Sequence, residues 1–142
     1  MAELKKSNYK KKILTLKNFH EIKDKVLIWH DKGGLGDVFM QRMIFDDIRR
    51  NLPNAEITFA CLPEYLDAAV DHPAIDKFID ARTVNLDDYI HCFNTCVTIV
   101  NRYENYNAPN YNENRSDIWA RYCGISLTSH EMNFVLNKSL RD

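Results

Sequence analysis

Apolar residues in the first half of this chain form short continuous runs on either side of one longer amphipathic segment. Residues 26–29, Val-Leu-Ile-Trp, lie between charged residues and glycine, which predicts a strand buried on both faces, as in a parallel sheet. From residue 38 to 52 apolar side chains recur at helical spacing opposite arginines and an aspartate, which predicts a helix of about four turns. Residues 56–61 predict a second strand. Together these elements predict a βαβ unit and a parallel sheet.

The pattern after residue 61 predicts shorter elements. Residues 63–70 begin with proline and carry an apolar stripe, which predicts a helical segment. Residues 77–79, Lys-Phe-Ile, predict a short strand. Residues 95–100, Thr-Cys-Val-Thr-Ile-Val, are rich in β-branched side chains and predict a further strand.

The last third of the chain changes in composition. The stretch 101–114 is rich in asparagine and tyrosine, which predicts an ordered loop. Ser116 is the predicted N-cap of a helix that Gly124 closes. The whole pattern predicts a three-layer, Rossmann-like α/β domain with a mainly parallel sheet over residues 25–142, preceded by a basic arm over residues 1–24.

Composition and charge limit the classes of protein and of partner. The chain has 142 residues, of which 45% are hydrophobic and 27% charged, and these values are typical of one soluble domain. It has no apolar run long enough to span a membrane and no secretory signal, so we expect a cytoplasmic protein. Residues 1–25 hold eight lysines, but these lack interleaved arginines and regular aromatics. We expect a solvated arm rather than a surface for nucleic acid or anionic lipid.

The four cysteines do not form a recognisable metal motif. Cys92 and Cys96 are the closest pair, and neither they nor Cys61 and Cys123 form a C-x-x-C motif. We therefore expect reduced, mostly buried thiols and no metal.

A glycine-rich turn between the first strand and the first helix is the best candidate site. It runs Lys-Gly-Gly-Leu-Gly-Asp over residues 32–37, and Gly33, Gly34 and Gly36 are three of the four glycines in the chain. Glycine allows close approach of backbone to a ligand, and a helix N-terminus offers free N–H groups. The spacing differs from that of dinucleotide and triphosphate cradles, so we expect no nucleotide cofactor. Asp37, at the mouth of the turn, is either a general base or a helix-capping carboxylate.

Three other side chains are candidates for ligand contact. Lys32 is either a contact for an acceptor phosphate or a solvated turn residue. Arg102 and Tyr103 follow the strand predicted at residues 95–100, at the carboxyl edge where open α/β sheets bind ligands. There they either stack on a sugar or form part of a packed loop.

Three motifs in order resemble the heptosyltransferase-like glycosyltransferases. The first motif has two parts: residues 33–38, Gly-Gly-Leu-Gly-Asp-Val, resemble the turn of that family, and residues 49–57, Arg-Arg-Asn-Leu-Pro-Asn-Ala-Glu-Ile, resemble the passage into its second strand. Residues 72–79, His-Pro-Ala-Ile-Asp-Lys-Phe-Ile, and residues 115–125, Arg-Ser-Asp-Ile-Trp-Ala-Arg-Tyr-Cys-Gly-Ile, resemble its later motifs. Starch and glycogen synthases have a similar turn, so the ordered set is more specific than the turn alone.

The resemblance implies the N-terminal half of a GT-B fold, the lobe that holds the acceptor. It implies that Asp37 is the base of an inverting transfer, that the partner is a glycan or a lipid-linked sugar, and that the nucleotide-sugar donor requires a second lobe. Family members carry a basic residue where this chain has Asp31, and Lys32 is displaced by one position. Because the chain ends where the donor lobe is expected, we expect it to be inactive alone. The alternative is a non-catalytic binding or assembly module, in either case with a possible homo- or hetero-oligomer.

Overall fold

The computed structural model describes residues 23–108, 113–132 and 134. Most of the predicted basic arm, residues 1–22, lies outside the described residues. The helices and strands are β1 (Lys25–Trp29), α1 (Leu35–Asn51), β2 (Glu56–Cys61), β3 (Lys77–Asp80), β4 (His91–Asn94), α2 (Val97–Asn107) and α3 (Arg115–Tyr122). Short 3-10 turns occur at Pro63–Ala68, Ala81–Thr83 and Leu86–Asp88. No helix in the described ranges is both long and apolar enough to cross a membrane.

The four strands form one sheet in the order β3-β2-β1-β4, and every neighbouring pair is parallel. This confirms the predicted α/β class and the parallel sheet. Ile28 of β1 lies opposite Phe59 of β2 on one side and Phe93 of β4 on the other. Strand order therefore reverses at β1, because the chain first runs to β2 and β3 and later returns to β1's free edge as β4. The carboxyl ends of β1 and β4 form a topological switch point, where open α/β sheets bind ligands.

Side chains alternate between the two faces of the sheet. Val26 and Ile28 belong to the larger core, which α1, α2 and α3 cover through Phe45, Val100 and Trp119. The opposite face carries a smaller apolar cluster, packed against the segments around the two later 3-10 turns: Leu27, Trp29, Ala60, Ala81, Cys92 and Cys96. The sheet is thus the middle of three layers, with regular helices on one side and short turns on the other.

The prediction of a strand at residues 95–100 is wrong, and the loop predicted at 101–114 is wrong over residues 101–107, which are helical. Residues 109–112 of that loop lie outside the described residues, and residues 113 and 114 belong to no helix or strand. The strand ends at Asn94, whose side-chain oxygen accepts a hydrogen bond from the Cys96 N–H, and α2 begins at Val97. Val100 and Ile99 then pack into the larger core from a helix. Burial of these β-branched side chains outweighs their preference for strands, which is a weak local effect.

At α3 one cap prediction is confirmed and the other is wrong. Asn114, not Ser116, occupies the N-cap position. Gly124 ends the helix with φ of 76°. Its N–H donates to the Arg121 carbonyl and the Ile125 N–H donates to the Ala120 carbonyl, which is the Schellman pattern.

A buried arginine in α1, Arg42, contacts the segment that follows α3. The Arg42 guanidinium is fully buried and forms a bidentate ion pair with Asp71, with Nη1 2.6 Å from Oδ1 and Nη2 2.9 Å from Oδ2. Its Nε donates to the Met132 carbonyl at 2.9 Å, and its guanidinium carbon lies 4.2 Å from the centre of the Phe134 ring. This contact fixes the end of the described chain against α1.

Candidate functional site

Gly33 gives the turn between β1 and α1 its shape. Its φ is 146°, a conformation that residues with a side chain rarely adopt. A Cβ at this position would lie 2.7 Å from His30 Nε2 and 3.2 Å from the Asp37 Cβ. Cβ atoms at Gly34 and Gly36 would meet no atom within 4 Å. Only Gly33 among the three turn glycines therefore owes its identity to close packing.

The turn is held against the loop that follows β4. The Thr95 N–H donates to the Trp29 carbonyl at 2.9 Å, and the Val97 N–H donates to the Lys32 carbonyl at 3.1 Å. The Asp31 N–H donates to the Cys96 sulfur at 3.2 Å. These contacts place the glycine turn and the start of α2 side by side at the switch point.

Asp37 lies in the first turn of α1, and both of its carboxylate oxygens have partners. Oδ2 accepts a hydrogen bond from the Gly34 N–H at 3.4 Å, the helix-capping contact expected of an acidic residue at this position. Oδ1 accepts a hydrogen bond from Arg115 Nη1 at 2.9 Å. The side chain is 16% exposed, so the carboxylate is fixed yet reachable from solvent.

Arg115, the first residue of α3, links Asp37 to α2. Its Nε and Nη2 donate to the two carboxylate oxygens of Glu104, at 3.1 and 2.9 Å, and Nη2 also donates to Asn101 Oδ1 at 3.2 Å. The hydrogen bond to Glu104 is the main cause that raises the pKa of the Arg115 guanidinium above its usual value. The arginine therefore stays charged and joins all three helices at this edge of the sheet.

Sequence reasoning missed Arg115 as the partner of Asp37 and missed the residues that hold Arg115. Asn101 and Glu104 are three residues apart, which places them on one face of a helix, but that stretch was predicted as a loop. Recognition of α2 would have brought these two side chains together. It would not have indicated Arg115, because 78 residues separate it from Asp37.

His30 lies beneath the glycine turn with one ring nitrogen unpartnered. The residue is 1% exposed, and its ring packs against Phe59 and the edge of Trp119. Nδ1 lies 2.5 Å from the Thr95 carbonyl oxygen, which only accepts hydrogen bonds, so Nδ1 carries the proton. Burial lowers the pKa of the imidazole below its usual value. Nε2 is thus an unprotonated acceptor with no partner in the described part of the chain.

Arg102 and Tyr103 lie in α2 rather than after a strand, and they do not join the glycine turn. They line a groove of about 420 Å³ between α2 and α3, together with Ile99 and Ile118 and with no residue of the turn. The Tyr103 hydroxyl donates to Glu113 at 2.6 Å, and the Arg121 guanidinium carbon lies 5.3 Å from the centre of its ring. The structure therefore unites Lys32, the three glycines and Asp37 and separates Arg102 and Tyr103 from them.

None of the four cysteines is in a disulfide, and Cys61, Cys92 and Cys96 are buried. Burial raises the pKa of the Cys96 thiol to about 11 and that of Cys61 to about 12. Such thiols are neutral and poorly reactive at physiological pH. The described residues include no group of three or more side chains arranged to hold a metal ion.

Comparison with protein-family models, with curated protein sequences and with solved structures finds no match for this chain. The geometry of the turn and the motifs in the sequence are therefore the basis for inferring function.

We predict that Gly33→Ala destabilises the protein by about 1–3 kcal/mol, because the new Cβ meets His30 at a strained φ. Gly36→Ala is the matched control. It adds a methyl group in open space within a helix and should leave stability unchanged or raise it by up to about 1 kcal/mol. Urea denaturation of both variants measures the difference, and equal stability of the two would contradict the described turn.

We also predict that stability falls as the pH drops from about 7 to about 5. Burial lowers the pKa of His30 and of His72, so the unfolded chain takes up protons that the folded chain excludes. Each histidine contributes a slope of up to about 1.4 kcal/mol per pH unit in this window. His30→Gln should reduce the slope measured by urea denaturation at several pH values. A slope equal to that of the unchanged protein would show that His30 is not buried in its neutral form.

Proposed function

We propose that this chain binds a sugar acceptor at the carboxyl edge of its sheet, as the acceptor-side lobe of an inverting glycosyltransferase of the GT-B type. The observation that carries the proposal is the position of Asp37. Its carboxylate lies at the topological switch point, and Arg115 orients it through the 2.9 Å hydrogen bond to Oδ1.

The two oxygens of Asp37 are suited to different tasks. Oδ1 is held by the guanidinium, whereas Oδ2 has only the long 3.4 Å hydrogen bond from Gly34. In the proposed reaction Oδ2 gives up its hydrogen bond from the Gly34 N–H and accepts the proton of an acceptor hydroxyl. The hydroxyl oxygen attacks the anomeric carbon of the donor, and the bond from that carbon to the diphosphate breaks with its electron pair on the departing nucleotide. Asp37 ends the step protonated.

The ordered motifs that resemble the heptosyltransferase-like enzymes support this proposal. Two of them have clear structural partners in this chain. Asp76 of the second motif accepts hydrogen bonds from the Ile57 N–H at 2.8 Å and from Arg49 at 2.6 Å, so it fixes β3 and α1 to β2. Arg115 of the third motif holds Asp37. In the proposed enzyme the second motif is structural, and the first and third build the acceptor site.

A second candidate is a non-catalytic sugar-binding module that retains the same fold. The observation that favours it is that both oxygens of Asp37 already have partners within the chain. Such a carboxylate caps α1 and joins the helices without taking part in a reaction. Binding without transfer separates this candidate from the enzyme.

Asp37→Asn tests the proposal, with Asp88→Asn as the matched control. Asp88 is an exposed carboxylate just before β4, at the opposite edge of the sheet. On a glycan array the unchanged chain and Asp88→Asn should bind the same glycans, and Asp37→Asn should bind them about tenfold more weakly, because it loses a charged hydrogen-bond acceptor. With those glycans and nucleotide-sugar donors, any transfer should fall about a hundredfold or more in Asp37→Asn.

Three outcomes of this test are decisive. If the unchanged chain binds no glycan, or if Asp37→Asn binds glycans as well as the control, sugar recognition at the turn is refuted. If Asp37→Asn still transfers sugar at the rate of the control, Asp37 is not the general base. Glycan binding that depends on Asp37 but supports no transfer favours the non-catalytic module.

A further inference from the structure

We propose that the group recognised at the glycine turn is an uncharged hydroxyl of a neutral sugar, and not a phosphate or a carboxylate. This inference rests on the proposed sugar-binding function and names the chemical class of its ligand. Three features of the site support it: the occupied donors of Arg115, the balance of charge around the turn and the unpartnered acceptor of His30.

Arg115 is the side chain best placed to capture an anion, but four of its five N–H donors already make hydrogen bonds within the chain. A guanidinium has five N–H groups. Those of Arg115 make four hydrogen bonds, to Asp37, to both carboxylate oxygens of Glu104 and to Asn101. An incoming phosphate would find a single N–H left and would lie as a like charge beside the carboxylates of Asp37 and Glu104. A hydroxyl can accept the remaining N–H and donate to Asp37 without displacing either carboxylate.

The charges around the turn also oppose an anion. The positive end of the α1 helix dipole is already compensated by a carboxylate, because Asp37 lies in the first turn and accepts a hydrogen bond from the Gly34 N–H. Asp31 lies directly before the turn, and with it three carboxylates face two cations among the charged residues at the turn and in the Arg115 cluster: Asp31, Asp37 and Glu104 against Lys32 and Arg115. A site with this balance repels a second negative charge and offers acceptors to a hydroxyl proton.

His30 adds an acceptor where a phosphate-binding turn would present donors. Its Nε2 is buried, unprotonated and without a partner in the described residues, and it faces the inner side of Gly33. An unsatisfied buried acceptor stabilises a group that donates a hydrogen bond and disfavours an anion, which only accepts. Only the backbone of Gly33 lies over this nitrogen, so in the proposed complex a hydroxyl reaches it through a small shift of that backbone with no side chain to displace.

The test uses the full chain labelled with ¹⁵N and follows the amide signals of Gly33, Gly34 and Gly36. The probes are the methyl glycosides of glucose, galactose and mannose, the 6-phosphates of the same three sugars, and inorganic phosphate. We expect at least one methyl glycoside to shift the three glycine signals in a saturable manner. We expect the matching sugar phosphate to bind at least about tenfold more weakly than the methyl glycoside. Inorganic phosphate should leave the signals unchanged.

Two variants test the part played by His30. His30→Phe keeps an aromatic ring between Phe59 and Trp119 but removes the acceptor, so it should weaken binding of the glycoside about tenfold. His72→Phe is the matched control. His72 is also a buried histidine whose Nε2 has no hydrogen-bond partner among the described residues, but it lies before β3, away from the turn. It should bind the glycoside as the unchanged chain does.

Two results contradict the inference and leave the proposed function intact, and a third contradicts both. Sugar phosphates that bind at the glycine amides as tightly as the methyl glycosides, or tighter, overturn the neutral class and leave sugar binding intact. Equal binding by His30→Phe and His72→Phe overturns the role of His30. If neither class of sugar shifts the glycine signals, both the inference and the proposed function fail.

Discussion

The ion pair between Asp37 and Arg115 is the contact on which the candidate site depends. It joins the first turn of α1 to the first residue of α3, and the same arginine reaches Glu104 in the middle of α2. The sheet sets the positions of β1 and β4, but it does not fix the direction of a side chain in the first turn of α1, the helix that follows β1. Without Arg115, Asp37 would retain only its weak capping contact with Gly34.

The close packing beneath the turn complements this contact from the other side. Gly33 lies directly over the buried ring of His30, and that ring is fixed by the Thr95 carbonyl and by Trp119. One end of the turn is therefore held by the apolar core and the other by a charged cluster open to solvent. In the proposed site a ligand lies against the fixed carboxylate of Asp37, with the buried neutral imidazole of His30 beneath Gly33, and we propose that this arrangement favours hydroxyl groups over anions.

The elements that sequence reasoning predicted correctly are those with a clear and sustained period. The βαβ unit from β1 to β2 has two short apolar runs and a long amphipathic helix, and both its strands and its helix were predicted within a few residues. The prediction for residues 97–107 was wrong because their β-branched and asparagine side chains locally favour strand and loop. Packing of Val100 against the core instead stabilises a helix there. Asp37 and its glycine turn were found from local motifs. The long-range partner Arg115 was not, because only the tertiary fold brings it near.

A double-mutant cycle between Asp37→Ala and Arg115→Ala tests most directly whether this ion pair organises the site. The free energy of unfolding is measured by urea denaturation for the unchanged chain, both single variants and the double variant. Because the two side chains are only 16% and 28% exposed and make a charged hydrogen bond, we predict a coupling energy of about 1 kcal/mol. Additive effects of the two substitutions, with no coupling, would contradict the account.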